Sequence, residues 1–312
     1  MRIAVVGTGG VGGYFGGRLA QAGHDVAFVA RGKHLAAMQA DGLTVESVAG
    51  DFQVHPVRAH ERPEDIGPVD VVLVCVKAWQ VVEVSELLAP LLGPSTFVVP
   101  LQNGVEAPDQ IAARVGRDRL MVGIARIISF VAAPGRIRHA GAEPAIELGE
   151  LDRSRSARLE QLVGAFRECT AVTCQAVEDV EAAMWTKFLF VAGWGSVAAI
   201  ARAPVGAIRQ TPVTRALVRE SMGEIDALAR ARGVALASDA VDRAIAYADQ
   251  LPFEGTTSLQ RDIQAGLPSE IEAWSGAVVR LSQAANLPCH VHRIAYAAVQ
   301  PLEQRARGML TF

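Results

Sequence analysis

Two rhythms of apolar and polar residues run along this chain, and they change over near residue 179. Before that point, short apolar runs are bounded by glycine, asparagine or charge, the pattern of strands in a parallel sheet buried on both faces. Residues 2–6, 24–30, 71–76 and 96–101 predict such strands, with helices over 33–40 and 81–92 between them. Residues 42–57 place Leu43, Val45, Phe52 and Val54 around Ala49-Gly50-Asp51, which reads as an inserted hairpin. A helix at 109–115 precedes strand-like runs at 121–131, 136–139 and 145–148, an antiparallel extension of the sheet. A helix over 154–167 and a strand over 171–177 complete this half. From residue 180 onward apolar residues recur three and four apart, predicting helices over 211–232, 238–250 and 269–285. The expected fold is therefore α/β: an N-terminal domain built on a parallel sheet, residues 1–178, and a C-terminal all-helical domain, residues 179–312. They are expected to pack rigidly with a cleft between them.

The first strand opens directly into Gly7-x-Gly9-x-x-Gly12 and then a helical run. A strand before and a helix after are what make this glycine pattern a dinucleotide fingerprint rather than a glycine-rich turn. One glycine makes the turn, one lets backbone approach a pyrophosphate, and one lets helix pack on strand. The backbone of Gly7, Thr8, Gly9, Gly10, Val11 and Gly12 is thus the candidate phosphate cradle, helped by the positive end of the helix dipole.

An NAD-binding unit ends its second strand with an acid for the ribose 2′-hydroxyl. Here that strand ends Ala30-Arg31-Gly32-Lys33. A guanidinium matches phosphate oxygens in pairs, so Arg31 points to a 2′-phosphate and the expected cofactor is NADP(H). Lys77, beyond the strand at 71–76, lies at the same sheet edge, as does Asn103 of Gln102-Asn103-Gly104. By local pattern alone Lys77 is equally a solvated strand-end cation, and Asn-Gly is equally a turn.

Composition narrows the partners. With 30 Lys and Arg against 33 Asp and Glu, the net charge of −3 gives no reason to expect nucleic acid or an anionic membrane. Cys75, Cys169, Cys174 and Cys289 show neither zinc spacing nor a disulfide framework, which fits a reducing cytoplasm. The longest apolar run, 188–201, is short for a membrane span and reads as a buried helix. The N-terminus reads as a strand rather than a secretory signal.

The second half must then supply a proton donor, since reducing a carbonyl creates an alkoxide. Of the seven histidines, His24, His34, His55 and His60 fall in the cofactor half, and His139 reads as structural. Cys289-His290-Val291-His292 resembles a metal fragment without further ligands. Lys187 is the single cation between Glu181 and Arg202, beside Trp185. Such surroundings lower a lysine's pKa and make it a usable acid, though a lysine snorkelling over an apolar surface has the same pattern. Thr257-Ser258 and Ser269-Glu270 each precede helical runs, so they are N-caps or substrate ligands, with Ser269 a cap by its following acids.

Together these segments resemble the ketopantoate reductase family over nearly the whole chain: Gly7-x-Gly9-x-x-Gly12, Arg31, Lys77-Ala78-Trp79-Gln80, Gln102-Asn103-Gly104-Val105, Gly135-x-Ile137-x-His139, Trp185-x-Lys187, Thr257-Ser258 before Gln260-x-Asp262, and Ser269-Glu270-Ile271. The resemblance implies a Rossmann domain joined to a helical domain of the 6-phosphogluconate dehydrogenase type. It implies that Arg31 and Lys77 hold the NADPH 2′-phosphate, that Asn103 contacts the nicotinamide ribose and substrate, and that Ser258 and Glu270 bind substrate. Lys187, with Glu270 in the catalytic set, is then the proton donor that turns ketopantoate into pantoate in a cytoplasmic homodimer. One departure stands out. Where the family pattern has asparagines one and two helical turns after the lysine, this chain has Val191 and Gly195. A different 2-oxo acid or ketone, oxidation of a β-hydroxy acid, and a non-catalytic NADPH-binding module are the alternatives this leaves.

Overall fold

The computed structural model describes residues 1–312, the side chain of Ala142 excepted. Contacts divide it into two compact units, Met1–Gln102 with Ala107–Val180, and Asn103–Glu106 with Glu181–Phe312. Two short stretches differ from the division that the change of rhythm predicts. Val180 packs against Gly149, and Asp179 pairs with Arg153 at 2.7 Å, which keeps both in the first unit. Val105 is buried in the helical core and Glu106 pairs with Arg280 at 2.9 Å, which takes Asn103–Glu106 into the second.

The first unit runs β1 (Arg2–Val6), α1 (Gly10–Gln21), β2 (Asp25–Val29), α2 (Gly32–Asp41), β3 (Leu43–Ser47), β4 (Phe52–Val54), β5 (Arg58–His60), β6 (Val69–Val74), α3 (Val81–Glu86), β7 (Leu92–Pro100), α4 (Ala107–Val115), β8 (Val122–Ala133), β9 (Arg136–Gly149), α5 (Ala157–Arg167) and β10 (Thr173–Ala176). Its main sheet is wholly parallel in the order β5-β2-β1-β6-β7, with Ile3 opposite Val26 and Val71. β1 is apolar throughout because both its faces are covered. Ile3 and Val5 belong to one core with Phe15, Leu148 and Phe166, whereas Ala4 and Val6 belong to another with Val74, Leu88 and Ile111. Chain order reverses between β1 and β6, so their carboxyl ends flank a crevice of the kind in which open α/β sheets bind ligands.

Three sequence expectations are corrected here. The runs 136–139 and 145–148 are one strand, β9: Arg126 faces Ala145 and Ile128 faces Ala140, so residues 141–144 bulge opposite Ile127, with Gly141 at φ +85°. The expected antiparallel extension is a separate sheet, β10-β9-β3-β4 with β8 on β9. Only β8 and β4 pair antiparallel there; β3 and β10 lie parallel to β9, as strands reached by long crossovers do. The helix expected over 81–92 stops at Glu86 and gives way to a 3₁₀ turn, Ala89–Leu91, because Pro90 has no N–H to continue it.

The second unit is helical: α6 (Val180–Ala201), α7 (Val205–Gln210), α8 (Pro212–Ala231), α9 (Ala240–Gln250), α10 (Ser258–Gln264), α11 (Ala277–Ala284) and α12 (His290–Ala306). Among the described residues α6 is the helix long and apolar enough to cross a membrane, yet 61% of its most apolar window is buried inside the protein. It is apolar all round because α8, α10 and α12 contribute to the core that surrounds it. The helix expected over 269–285 begins later, at α11. It is preceded by a π-helical turn, Glu272–Gly276, in which Gly276 N–H donates to the Ile271 carbonyl.

Candidate functional site

At the end of β1 the backbone must turn sharply, and Gly7 does so at φ +99°. Its N–H and that of Thr8 donate to the Val29 carbonyl at 3.2 and 3.3 Å, and Thr8 Oγ1 donates to the same oxygen at 3.0 Å. The turn is thereby tied to the end of β2. A Cβ on Gly7 would lie 2.7 Å from Val76 N, and one on Gly12 would overlap the Gly7 carbonyl oxygen. Gly10 is pressed against the backbone of Ser129, and Val11 packs at the edge of the core. Gly9 differs from all of these, since no atom of the described residues lies within 4 Å of where its Cβ would be. It caps α1 without a side-chain hydrogen bond to the N–H groups of the first turn.

Around the turn stand the side chains expected to read the cofactor. Arg31 leads into α2, is more than half exposed, and approaches Glu83 of α3 at 3.8 Å. Lys77 follows β6, exposed, with its ammonium 5.7 Å from the centre of the Trp79 ring. Gln102 donates from Nε2 to the carbonyls of Val74 and Val76, at 2.9 and 3.0 Å, and so holds the end of β6. Its Oε1 is buried and meets no donor among the described residues. An open glycine, a helix N-terminus without a side-chain cap, two exposed cations and a buried acceptor without a donor among the described residues, all at one sheet edge, fit a phosphorylated dinucleotide. Gln102 is a feature that motif reading passed over in favour of Asn103; its signal was a polar amide directly after a buried strand.

Asn103, Lys187, Ser258 and Glu270 all belong to the second unit. Lys187 stands half-buried in the first turns of α6, between Trp185 and Phe188, whose buried rings meet edge-on at 5.8 Å. One and two turns further on the same face come Val191 and Gly195. The Trp274 ring, carried by the π turn, lies directly on Gly195, where a Cβ would be 2.5 Å from Cζ3. The other end of the indole donates from Nε1 to the Asn103 carbonyl at 2.9 Å. Trp274 is the second residue that sequence reading missed, for its partners are distant along the chain.

Glu270 is buried, two residues before the π turn. Ser269 beside it is not the simple cap its sequence suggests. Its hydroxyl donates to Glu303 Oε2 at 2.6 Å, its N–H donates to the same oxygen at 2.9 Å, and it accepts only a long bond from Ile271 N–H, at 3.4 Å. Ser258 is the first residue of α10 and half-buried. Thr257 caps that helix by accepting from Gln260 N–H at 3.1 Å, which leaves Ser258 without a capping duty.

The remaining histidine and cysteine motifs have structural surroundings. His139 lies buried, 5.0 Å from the Tyr14 ring, with Nδ1 2.8 Å from Ser47 Oγ. His292 is enclosed by Ser221, Ser275 and Ser196, and burial pulls its pKa down to about 4. Burial pushes all four thiols up to about 12, the range of unreactive cysteines.

Comparison with known proteins places this geometry. Residues 3–153 match the model of ketopantoate reductase PanE/ApbA, and residues 179–303 match that of its C-terminal domain. The chain belongs to the ketopantoate reductase family. It is 32% identical to the 2-dehydropantoate 2-reductase of Mesorhizobium japonicum, over 92% of this chain and 93% of that one. It is 28% identical to the uncharacterized oxidoreductase YkpB of Bacillus subtilis, over 97% and 99%. Among solved structures, a PanE/ApbA family ketopantoate reductase from Ralstonia eutropha superposes with a TM-score of 0.89 at 30% identity, over 98% of this chain and 100% of that one. Ketopantoate reductases are oxidoreductases acting on CH–OH groups and use NADPH.

Proposed function

We propose that the protein uses NADPH to reduce a small 2-oxo acid at its carbonyl, ketopantoate to pantoate by family resemblance, with Lys187 as the proton donor. The observation that carries this reading is the placement of Lys187: a half-buried lysine near the start of α6, in the same compact unit as Asn103, Ser258 and Glu270. Bound NADPH supplies hydride to the carbonyl carbon. The backbone of Gly7 to Gly12 and the start of α1 hold the pyrophosphate, and Arg31 and Lys77 hold the 2′-phosphate. Asn103 orients the nicotinamide ribose and the substrate. Ser258 and Glu270 bind the substrate's carboxylate and hydroxyl ends, and Lys187 delivers its proton to the oxygen as negative charge develops there. A cytoplasmic homodimer serving pantothenate synthesis extends the same reading.

The test is Lys187→Ala in steady-state assays across ketopantoate and a panel of 2-oxo acids, alongside NADPH titration by fluorescence. Loss of general acid catalysis lowers kcat by about 10²–10⁴-fold, with NADPH affinity unchanged. Undiminished turnover on a substrate the native protein reduces would remove Lys187 from the chemistry.

A further inference from the structure

Asn103 lies shortly after β7 in the chain, yet Asn103–Glu106 belong to the helical unit. These four residues form no helix or strand of their own, so what they touch sets their place. At the start of the segment the indole N–H of Trp274 donates to the Asn103 carbonyl at 2.9 Å. In the middle, Val105 is buried in the helical core. At the end, Arg280 of α11 pairs with Glu106 at 2.9 Å and also with Glu272. Glu272 and Trp274 lie in the same π turn, a rare form frequent at functional sites, so one turn supports both ends of the segment. The two supports are unequal. The Arg280–Glu106 pair is partly exposed, and such pairs hold weakly. Trp274 is buried, and its six-membered ring lies on Gly195, with Cζ3 2.5 Å from where a Cβ would be, so its N–H has little freedom to move. A fixed Asn103 carbonyl fixes the peptide plane, and with it the point from which the Asn103 side chain starts.

Resting on the reading of Asn103 as the residue that orients the nicotinamide ribose, we infer that Trp274 is the positioning residue for Asn103. It touches neither cofactor nor substrate; it holds the Asn103 backbone through its N–H so that the amide meets the ribose already in place. Ordering this residue beforehand spares the nucleotide that cost on binding. The benefit falls on the nicotinamide half of the cofactor alone, since the adenosine end is read by Arg31 and Lys77.

The experiment measures by calorimetry the Kd of NADP⁺ and of adenosine 2′,5′-bisphosphate, which keeps a 2′-phosphate but lacks the second ribose and the nicotinamide. Trp274 is replaced by 3-benzothienylalanine, whose sulfur stands where the N–H was while both rings stay. Trp274→Phe, which drops the donor along with one ring, is the second variant. Leaving the Asn103 carbonyl without its donor is expected to weaken NADP⁺ about tenfold in each, with the bisphosphate unchanged. Asn103→Ala should weaken NADP⁺ at least as much, and adding either Trp274 change to it should cost nothing more, because the tryptophan acts through Asn103. If Asn103→Ala weakens NADP⁺ while the Trp274 variants bind it as the native protein does, the inference is overturned and the reading of Asn103 stands. Equal weakening of both nucleotides, or the tenfold loss persisting in the Asn103→Ala background, also overturns it, since Trp274 would then act on the fold or by another route. An Asn103→Ala protein with native NADP⁺ affinity instead takes Asn103 off the ribose, and the inference falls with that reading.

Discussion

Trp274 rests its benzenoid ring on Gly195 and gives its indole N–H to the carbonyl of Asn103. One side chain thereby joins the helix bearing Lys187 to the segment bearing Asn103. Neither contact tolerates much adjustment. The Ser196–Ser275 bond at 2.6 Å holds the two backbones alongside, and moving the ring to make room would break the bond to Asn103.

Gly195→Ala is therefore expected to destabilise the protein, although alanine favours a helix interior by about 1 kcal/mol over glycine. The overlap with Trp274 outweighs that gain, for a net loss of about 1–3 kcal/mol, typical of an overpacked core. In a Trp274→Leu background the same change should be neutral or stabilising. Urea denaturation of the four proteins of the cycle measures the coupling; independent, additive effects would show that ring and helix are not in register as described.

Gly9 and Gly12 make opposite demands on the same loop. A methyl on Gly12 meets the Gly7 carbonyl, whereas one on Gly9 meets no protein atom within 4 Å. Gly12→Ala should lower the unfolding free energy by about 1–3 kcal/mol. Gly9→Ala should leave it within about 0.5 kcal/mol of the native value yet weaken NADPH tenfold or more, because it protrudes where backbone must approach the pyrophosphate. Thermal melts without nucleotide, paired with NADPH titrations, separate the two. A Gly9→Ala protein that binds NADPH normally would place the pyrophosphate elsewhere.

Arg31 faces the Glu83 carboxylate at 3.8 Å, with both side chains more than half exposed. Such a pair contributes about 0–1 kcal/mol to stability, so its meaning lies in binding. Arg31→Ala should weaken NADPH at least tenfold and NADH little. Glu83→Gln should strengthen NADPH a few-fold, since it removes a charge that competes for the guanidinium and repels phosphate. Comparable losses for both nucleotides in Arg31→Ala would take the arginine off the 2′-phosphate.

How much of this was legible beforehand depended on how local each requirement was. The glycine turn was plain because its constraints fall on backbone within a few residues of Gly7. The main strands were plain because burial on both faces leaves them uniformly apolar. β9 was read as two pieces since Gly141 and Pro144 interrupt its pattern, and only pairing with β8 carries the strand through. The late start of α11 was hidden for a similar reason: Glu303, far along the chain, takes the Ser269 hydroxyl that would otherwise cap a helix. Val191 and Gly195 showed in sequence that two amides were missing. That an indole stands in the second place could be learned only from the packing of the π turn on α6.

His292 sets the last expectation, one of stability against pH. Its Nε2 lies 3.0 Å from Ser221 Oγ, and its Nδ1 lies 3.2 and 3.5 Å from the hydroxyls of Ser275 and Ser196. Burial favours the neutral ring and outweighs the nearby Glu224 carboxylate, which caps the start of α12 through the N–H groups of Val291 and His292 at 2.7 and 3.0 Å. The folded-state pKa falls from 6.5 to about 4. Between those values the unfolded chain binds a proton that the folded one refuses, so stability is full above pH 6.5 and declines as pH falls toward 4. The loss attributable to this ring is on the order of 3 kcal/mol. His292→Gln, which can still bond the serines but cannot titrate, should flatten the fall in melting temperature between pH 7 and pH 5. An unchanged pH dependence in that variant would assign the acid sensitivity to other groups.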